Sequence, residues 1–137
     1  MKTYLNIVIV EDNICISVGM IHLLQAWGYK IQGAYSIAEE ALTEIFHRPP
    51  DLVLLNVFLD GDMDGIEMIH RIRSRFHFPI VLVSGALIRH LPPLPQVFIL
   101  PKPFLPFQLK EIMIEALCIN GHRVIENKEK TQRQRFE

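Results

Sequence analysis

The sequence predicts an α/β domain: one parallel β-sheet with helices on both faces. Three observations lead there. Short apolar runs rich in β-branched residues recur along the chain, at Leu5–Val10, Leu52–Leu55, Ile80–Val83 and Val97–Leu100, with a weaker one at Lys30–Ala34. Stretches of helical periodicity separate most of them, and strand–helix alternation implies right-handed parallel crossovers. The runs are almost wholly apolar instead of alternating, as strands covered on both faces must be.

Each element has its own local reason. After the first strand, Ile14, Val18, Ile21 and Leu24 fall at helical spacing, Asp12 or Asn13 can cap the start, and Gly28 ends the helix. Ser36-Ile-Ala-Glu39 reads as a capping box opening a helix to about His47, where Pro49 and Pro50 stop it. Ile66, Ile69 and Ile72 mark a third helix from about Gly65 to Arg75. Pro106 stands at the start of a last helix reaching about Asn120, with Leu109, Ile112, Met113, Ala116 and Leu117 on its buried side. The link from Ser84 to Val97 is abnormal. Pro92, Pro93 and Pro95 cannot sit inside a helix, so one or two turns between Leu87 and Leu91 are the most that fits. The helix between strands four and five is therefore expected to be short or missing.

Composition narrows the function. The 137 residues, half of them hydrophobic, suit a single globular domain. The formal net charge of −1 gives no overall field to recruit nucleic acid or an anionic membrane. No apolar run approaches the roughly 18–20 residues that span a bilayer. The N-terminal apolar stretch runs straight into Glu11 and Asp12, unlike a signal peptide. A cytoplasmic location follows as the expectation, with Cys15 and Cys118 as reduced, buried thiols. The domain is expected over residues 1–121. Residues 122–137, polar and charged, are expected to form an extension or linker too short for a DNA-binding unit.

The chemistry gathers where the strands end. Glu11-Asp12 closes the first strand, Asn56 the third and Ser84 the fourth. Lys102 follows the fifth between Pro101 and Pro103, which hold its backbone extended and make a cis Lys102–Pro103 bond an option. In a parallel sheet such ends converge on one crevice. Adjacent carboxylates past a buried strand are costly without a cation between them, although a solvated loop with a helix cap explains them equally well in isolation. Asn56 alone could be a strand-terminal amide, and Ser84-Gly85 an ordinary turn. Asp60-Gly-Asp62-Met-Asp64-Gly65 begins like a calcium loop, but Arg71 stands where the bidentate glutamate belongs. The six histidines show no zinc spacing. A flavin or nucleotide enzyme would want glycine and hydroxyls after the first strand, and Glu11-Asp12-Asn13 there repels phosphate. No enzyme activity is expected.

As an ordered set, Ile7-Val-Ile-Val-Glu11-Asp12-Asn13, Asp51-Leu-Val-Leu-Leu-Asn56, Met63-Asp-Gly-Ile-Glu67, Val81-Leu-Val-Ser84-Gly-Ala86 and Lys102-Pro-Phe104 resemble the receiver domain of two-component response regulators, over about residues 4–119. The resemblance implies a flavodoxin-like doubly wound five-stranded parallel sheet in the order 2-1-3-4-5. It implies magnesium held by Glu11, Asp12, the Phe58 backbone carbonyl and the residue at 56. Ser84 would bond a phosphoryl oxygen, and Lys102 would pair with the phosphoryl charge. The position matching the phosphoacceptor aspartate holds Asn56, an amide that is a poor nucleophile and weakens magnesium binding by one lost charge. Ile99 stands where the family's switch aromatic is expected, with Phe98 one place early.

Two explanations of Asn56 stay open. The chain is a receiver that works by contact without phosphorylation, or an ordinary receiver whose aspartate has been exchanged. Either way it is expected to be a phosphorelay switch silenced at position 56, with a phosphorylation-independent interaction module as the alternative. A sensor histidine kinase or another signalling protein is the expected partner, and homodimerisation is left open. The proline-interrupted segment and the last helix would form the contact face of such a module, a reading that exposed Leu91, Leu94 and Phe107 would favour.

Overall fold

The architecture is taken from a computed structural model, which describes residues 4–57, 63–85 and 94–119. The element order is β1 (Asn6–Val10), α1 (Ile14–Ala26), β2 (Lys30–Tyr35), α2 (Ala38–His47), β3 (Leu52–Asn56), α3 (Gly65–Arg73), β4 (Ile80–Ser84), β5 (Val97–Pro101) and α4 (Pro106–Ile119). All neighbouring strands run parallel, in the order β2-β1-β3-β4-β5. The flavodoxin-like doubly wound topology is as expected.

Period-2 alternation divides the buried strands between two cores. Val8, Val10, Val53, Leu55, Ile80 and Leu82 meet α2 and α3 through Ala41, Ile45, Met68 and Ile72. Ile7, Ile9, Leu52, Leu54, Val81 and Val83 meet α1 and α4 through Leu24, Leu109, Met113 and Leu117. The continuous apolar runs are thus two interleaved half-sets, one for each face.

Local chemistry fixes the helix ends. The Asn13 side chain accepts from the Ile16 amide at 3.1 Å and caps α1. At the other end Gly28 takes φ +92°, Gly28 N–H donates to the Gln25 carbonyl, and Tyr29 N–H reaches back to Leu24. This paired closure needs a left-handed residue, which glycine supplies without strain. The Ser36 capping box does not form. Ile37 is still extended at the N-cap of α2, with no side-chain cap bond, so Ser36 lies one residue too early. Glu39 and Glu40 in the first turn complement the helix dipole instead.

Arg73 secures the unusual return to β5. Its guanidinium donates to the carbonyls of Pro95 at 3.0 Å, Gln96 at 3.1 Å and Phe76 at 3.4 Å, and lies over the Phe78 ring. Burial lowers its pKa. The expected turn at Leu87–Leu91 and the tail from residue 122 lie outside the described residues, as does Leu91. Leu94 is half-buried against the α2–α3 core and Phe107 is exposed, so the expected contact face is only partly presented. Of the two cysteines, neither in a disulfide, Cys118 is buried as expected, but Cys15 is exposed. It sits in the first turn of α1 on the side away from the sheet.

Candidate functional site

Strand register assembles the site. Val10 of β1 pairs with Leu55 of β3, Asn56 with Val83 of β4, and Ser84 with Pro101 of β5. The residues just past these pairs must therefore share one edge of the sheet. Glu11 leaves β1 there, held by its own N–H to the Tyr35 carbonyl at 2.9 Å. Lys102 leaves β5 there, its N–H donating to the Ser84 carbonyl at 2.8 Å, and the Lys102–Pro103 bond is cis.

Asn56 stands at the centre. Its Nδ2 donates to Glu11 Oε2 at 2.7 Å and to Asp12 Oδ1 at 3.1 Å. Carboxylates only accept, so the amide must turn its NH₂ group towards them, and one neutral group bridges both acids. Glu11 Oε2 also accepts from the Asp12 N–H at 3.0 Å, and Glu11 Oε1 lies 3.5 Å from Lys102 Nζ. Glu11 is 3 % exposed and Ser84 2 %, whereas Asp12, Asn56 and Lys102 are half-buried. Burial pushes the Glu11 carboxyl above its ordinary range and the Asp12 side chain adds to the rise, while the Lys102 ammonium and the Asn56 amide pull it back.

Direct contacts thus join Glu11, Asp12, Asn56 and Lys102. Ser84 is joined to Lys102 through the backbone and stands next to the Asn56–Val83 pair. Phe58, whose carbonyl was expected to complete a metal site, lies outside the described residues. Among the described residues, no group of three or more His, Cys, Asp or Glu side chains could hold a metal ion. The oxygen donors are two carboxylates and the amide carbonyl of Asn56. They are the hard ligands magnesium prefers, carrying one charge fewer than a three-carboxylate site. The set fits a divalent cation in kind, provided the amide turns its oxygen inward.

Sequence reasoning missed two features. Lys102 pairs with Glu11 across the pocket, an ion pair that adjacency in sequence cannot show. Gly65 is needed by the site itself: a Cβ there would fall 2.5 Å from the Asn56 carbonyl oxygen and 2.9 Å from the Val57 carbonyl oxygen. The Gly65 N–H donates to the Val57 carbonyl at 2.8 Å, so the start of α3 is pressed against the end of β3. Asp64, from the calcium-like run, caps α3 by accepting from the Glu67 N–H at 2.9 Å.

A doubly wound parallel sheet with an acid pair, a hydroxyl residue and a lysine at its carboxyl edge defines a receiver-type module. The chain belongs to the response regulator receiver domain family, whose model matches residues 7–91. The match ends before β5, and similarity to solved structures carries the fold further. The receiver domain of PhyR, a response regulator of Erythrobacter litoralis, is 24 % identical with a TM-score of 0.74, over 83 % of this chain and 90 % of that one. The signal receiver domain of a modulated diguanylate cyclase from Desulfovibrio desulfuricans is 23 % identical with a TM-score of 0.72, over 83 % and 94 %. The anti-anti-sigma factor PhyR from Bartonella quintana is 23 % identical with a TM-score of 0.75, over 96 % of this chain but 53 % of its own length. The chain spans about half of that protein. At these identities the likeness shows the fold alone. No helix among the described residues is long and apolar enough to cross a membrane.

Proposed function

We propose that this receiver domain is a signalling module of a two-component phosphorelay whose pocket is set by Asn56 instead of by phosphoryl transfer to position 56. One observation carries the reading: the Asn56 NH₂ group bonds to both acids at 2.7 and 3.1 Å. Phosphoryl transfer needs a carboxylate nucleophile, and an amide supplies none. Within the chain the two carboxylates are met by the NH₂ dipole of Asn56 and by the Lys102 ammonium, in place of a metal ion. A phosphorylated receiver works by biasing two conformations through new charge. Here the bias is fixed, and output depends on what the domain binds.

Magnesium, where bound, would be held by Glu11, Asp12 and the Asn56 carbonyl oxygen, and would supply counter-charge to an incoming anion. Its binding is weakened by the missing carboxylate. The partner is a signalling protein. A sensor kinase fits the family, and the name of the Bartonella relative makes a sigma-factor regulator a second candidate class.

A second reading has its own support. The acid pair, Ser84 and Lys102 remain at one sheet edge, so an aspartate at 56 would meet a complete set of helpers. Mass spectrometry after incubation with acetyl phosphate and magnesium tests the first reading. This chain gains no phosphoryl adduct at 56, and Asn56→Asp gains one there. An adduct on another pocket residue of this chain would overturn the proposal.

A further inference from the structure

A groove of about 530 Å³ lies between α2 and α3 and shares no residue with the pocket around Asn56. Its volume falls within the roughly 300–1,000 Å³ of small-ligand sites. The buried side chains of Leu42 and Met63 form its floor, and its rim is exposed. Phe46 walls one end and is held in place. Its ring meets that of Phe76 edge to face, centroids 5.4 Å apart, and the Arg75 guanidinium lies over it at 5.5 Å.

Opposite charges stand at its two ends. Both helices are crossovers between parallel strands, so they run the same way. Glu39 lies in the first turn of α2, and Arg71 in the last turn of α3 beside Phe46. Glu39 and Phe46 are two turns apart on α2, a rise of about 10 Å. Glu39 has no ion pair among the described residues. Arg71 meets Glu67 at 4.0 Å, with both side chains more than half exposed, a weak pair that a ligand can displace. The Thr43 hydroxyl donates to the Glu39 carbonyl at 3.1 Å, and the Ser74 hydroxyl to the Arg71 carbonyl at 2.6 Å. With those protons used, both oxygens still accept. The groove thus accepts hydrogen bonds at Glu39, Thr43 and Ser74 and donates them at Arg71. The helix dipoles account for the signs of Glu39 and Arg71, but not for the apolar floor between them.

We propose that this groove binds a short apolar peptide with both ends free, its ammonium at Glu39 and its carboxylate at Arg71. Charge complementarity and length select this occupant. An extended chain advances about 3.3–3.6 Å per residue, so about three residues cover the 10 Å between the two charges. A single amino acid carries both charges on one carbon and reaches one end only. The peptide N–H groups find acceptors at Thr43 and Ser74, and its side chains rest on Leu42, Phe46 and Met63. An internal segment of a folded protein has neither terminal charge to offer. Because the rim is exposed, the charge pairs are solvated and binding is weak, with Kd on the order of 100 µM to 1 mM.

Titration of the full chain with trileucine, followed by amide NMR shifts, tests this. The expected result is saturable shifts at Thr43, Met63, Arg71 and Ser74. N-acetyl-trileucine, which lacks the ammonium, binds at least about threefold more weakly. Glu39→Gln weakens trileucine by a similar factor, and in that variant acetylation makes no further difference, which ties the ammonium to Glu39. Arg71→Gln and trileucine amide behave in the same way at the other end. Both substitutions are at exposed positions, so the variants keep the parent's melting temperature. Absence of saturable shifts at about 5 mM trileucine overturns the proposal. So do capped peptides that bind as tightly as trileucine, because the groove would then read apolar side chains alone, as in a segment of a partner protein or of residues 120–137.

Discussion

Asn56 Nδ2 lies 2.7 Å from Glu11 Oε2, and the same nitrogen reaches Asp12 Oδ1. A single amide therefore bridges the two carboxylates, at the place the proposed function gives to a cation. This contact ties the end of β3 to both acids that follow β1.

Asn56→Asp should destabilise the metal-free protein. It removes two hydrogen bonds to charged acceptors and puts a third carboxylate beside Glu11, at a cost of about 1–3 kcal/mol. Urea unfolding at pH 7 with chelator checks the loss, and added magnesium should restore most of it. A variant as stable as the parent without metal would mean the bridge contributes nothing.

Glu11 gives a pH signature of opposite sign to that of an ordinary paired carboxylate. Its folded-state pKa is raised above the ordinary 4.5, first by burial and then by Asp12. Between 4.5 and the raised value the folded state holds the proton more tightly than the unfolded chain. Ionised Glu11 therefore costs stability above this window, and the cost is recovered as pH falls through it. Glu11→Gln should be more stable than the parent at pH 7, with the advantage shrinking as pH falls towards 4.5. Unfolding free energies at a series of pH values would show it, and a difference constant with pH would contradict the account.

Gly65→Ala tests the seating of α3 on β3. The new methyl would press on the backbone oxygens of Asn56 and Val57, which cannot swing aside as a side chain can. A loss of about 1–3 kcal/mol is expected. The amide signals of Asn56 and Val57 should shift more than those of β2, at the far edge of the sheet.

Arg73→Ala should cost about 2–3 kcal/mol, because carbonyls of Phe76, Pro95 and Gln96 lose a charged donor together. Hydrogen exchange should quicken first at the Ile80 amide, which bonds the Gln96 carbonyl. Uniform exchange across the sheet would show that Arg73 does not hold this corner.

The fold was legible because the two-sided burial of β1, β3 and β4 writes itself as unbroken apolar runs. The pocket was legible because a buried strand ending in Glu11-Asp12, Asn56 or Ser84 has few reasons to do so. What stayed hidden depends on distance across the fold. The Lys102–Glu11 pair joins residues from opposite ends of the chain, and Arg73 finds carbonyls more than twenty residues away. The Ser36 cap failed because one extended residue at Ile37 moved the helix start, a shift the S-x-x-E pattern cannot register. Cys15 was misplaced because α1 carries apolar residues on every side, so its sequence does not say which side faces the sheet.

Magnesium affinity is the most direct test of the central claim that Asn56 stands in for pocket charge. Titration of this chain and of Asn56→Asp, followed by amide NMR shifts of Asp12 and residue 56, compares the two states of one site. The account predicts at least about tenfold tighter binding in Asn56→Asp, because the amide bridge is gone and a third carboxylate has been added. Equal affinities would contradict it.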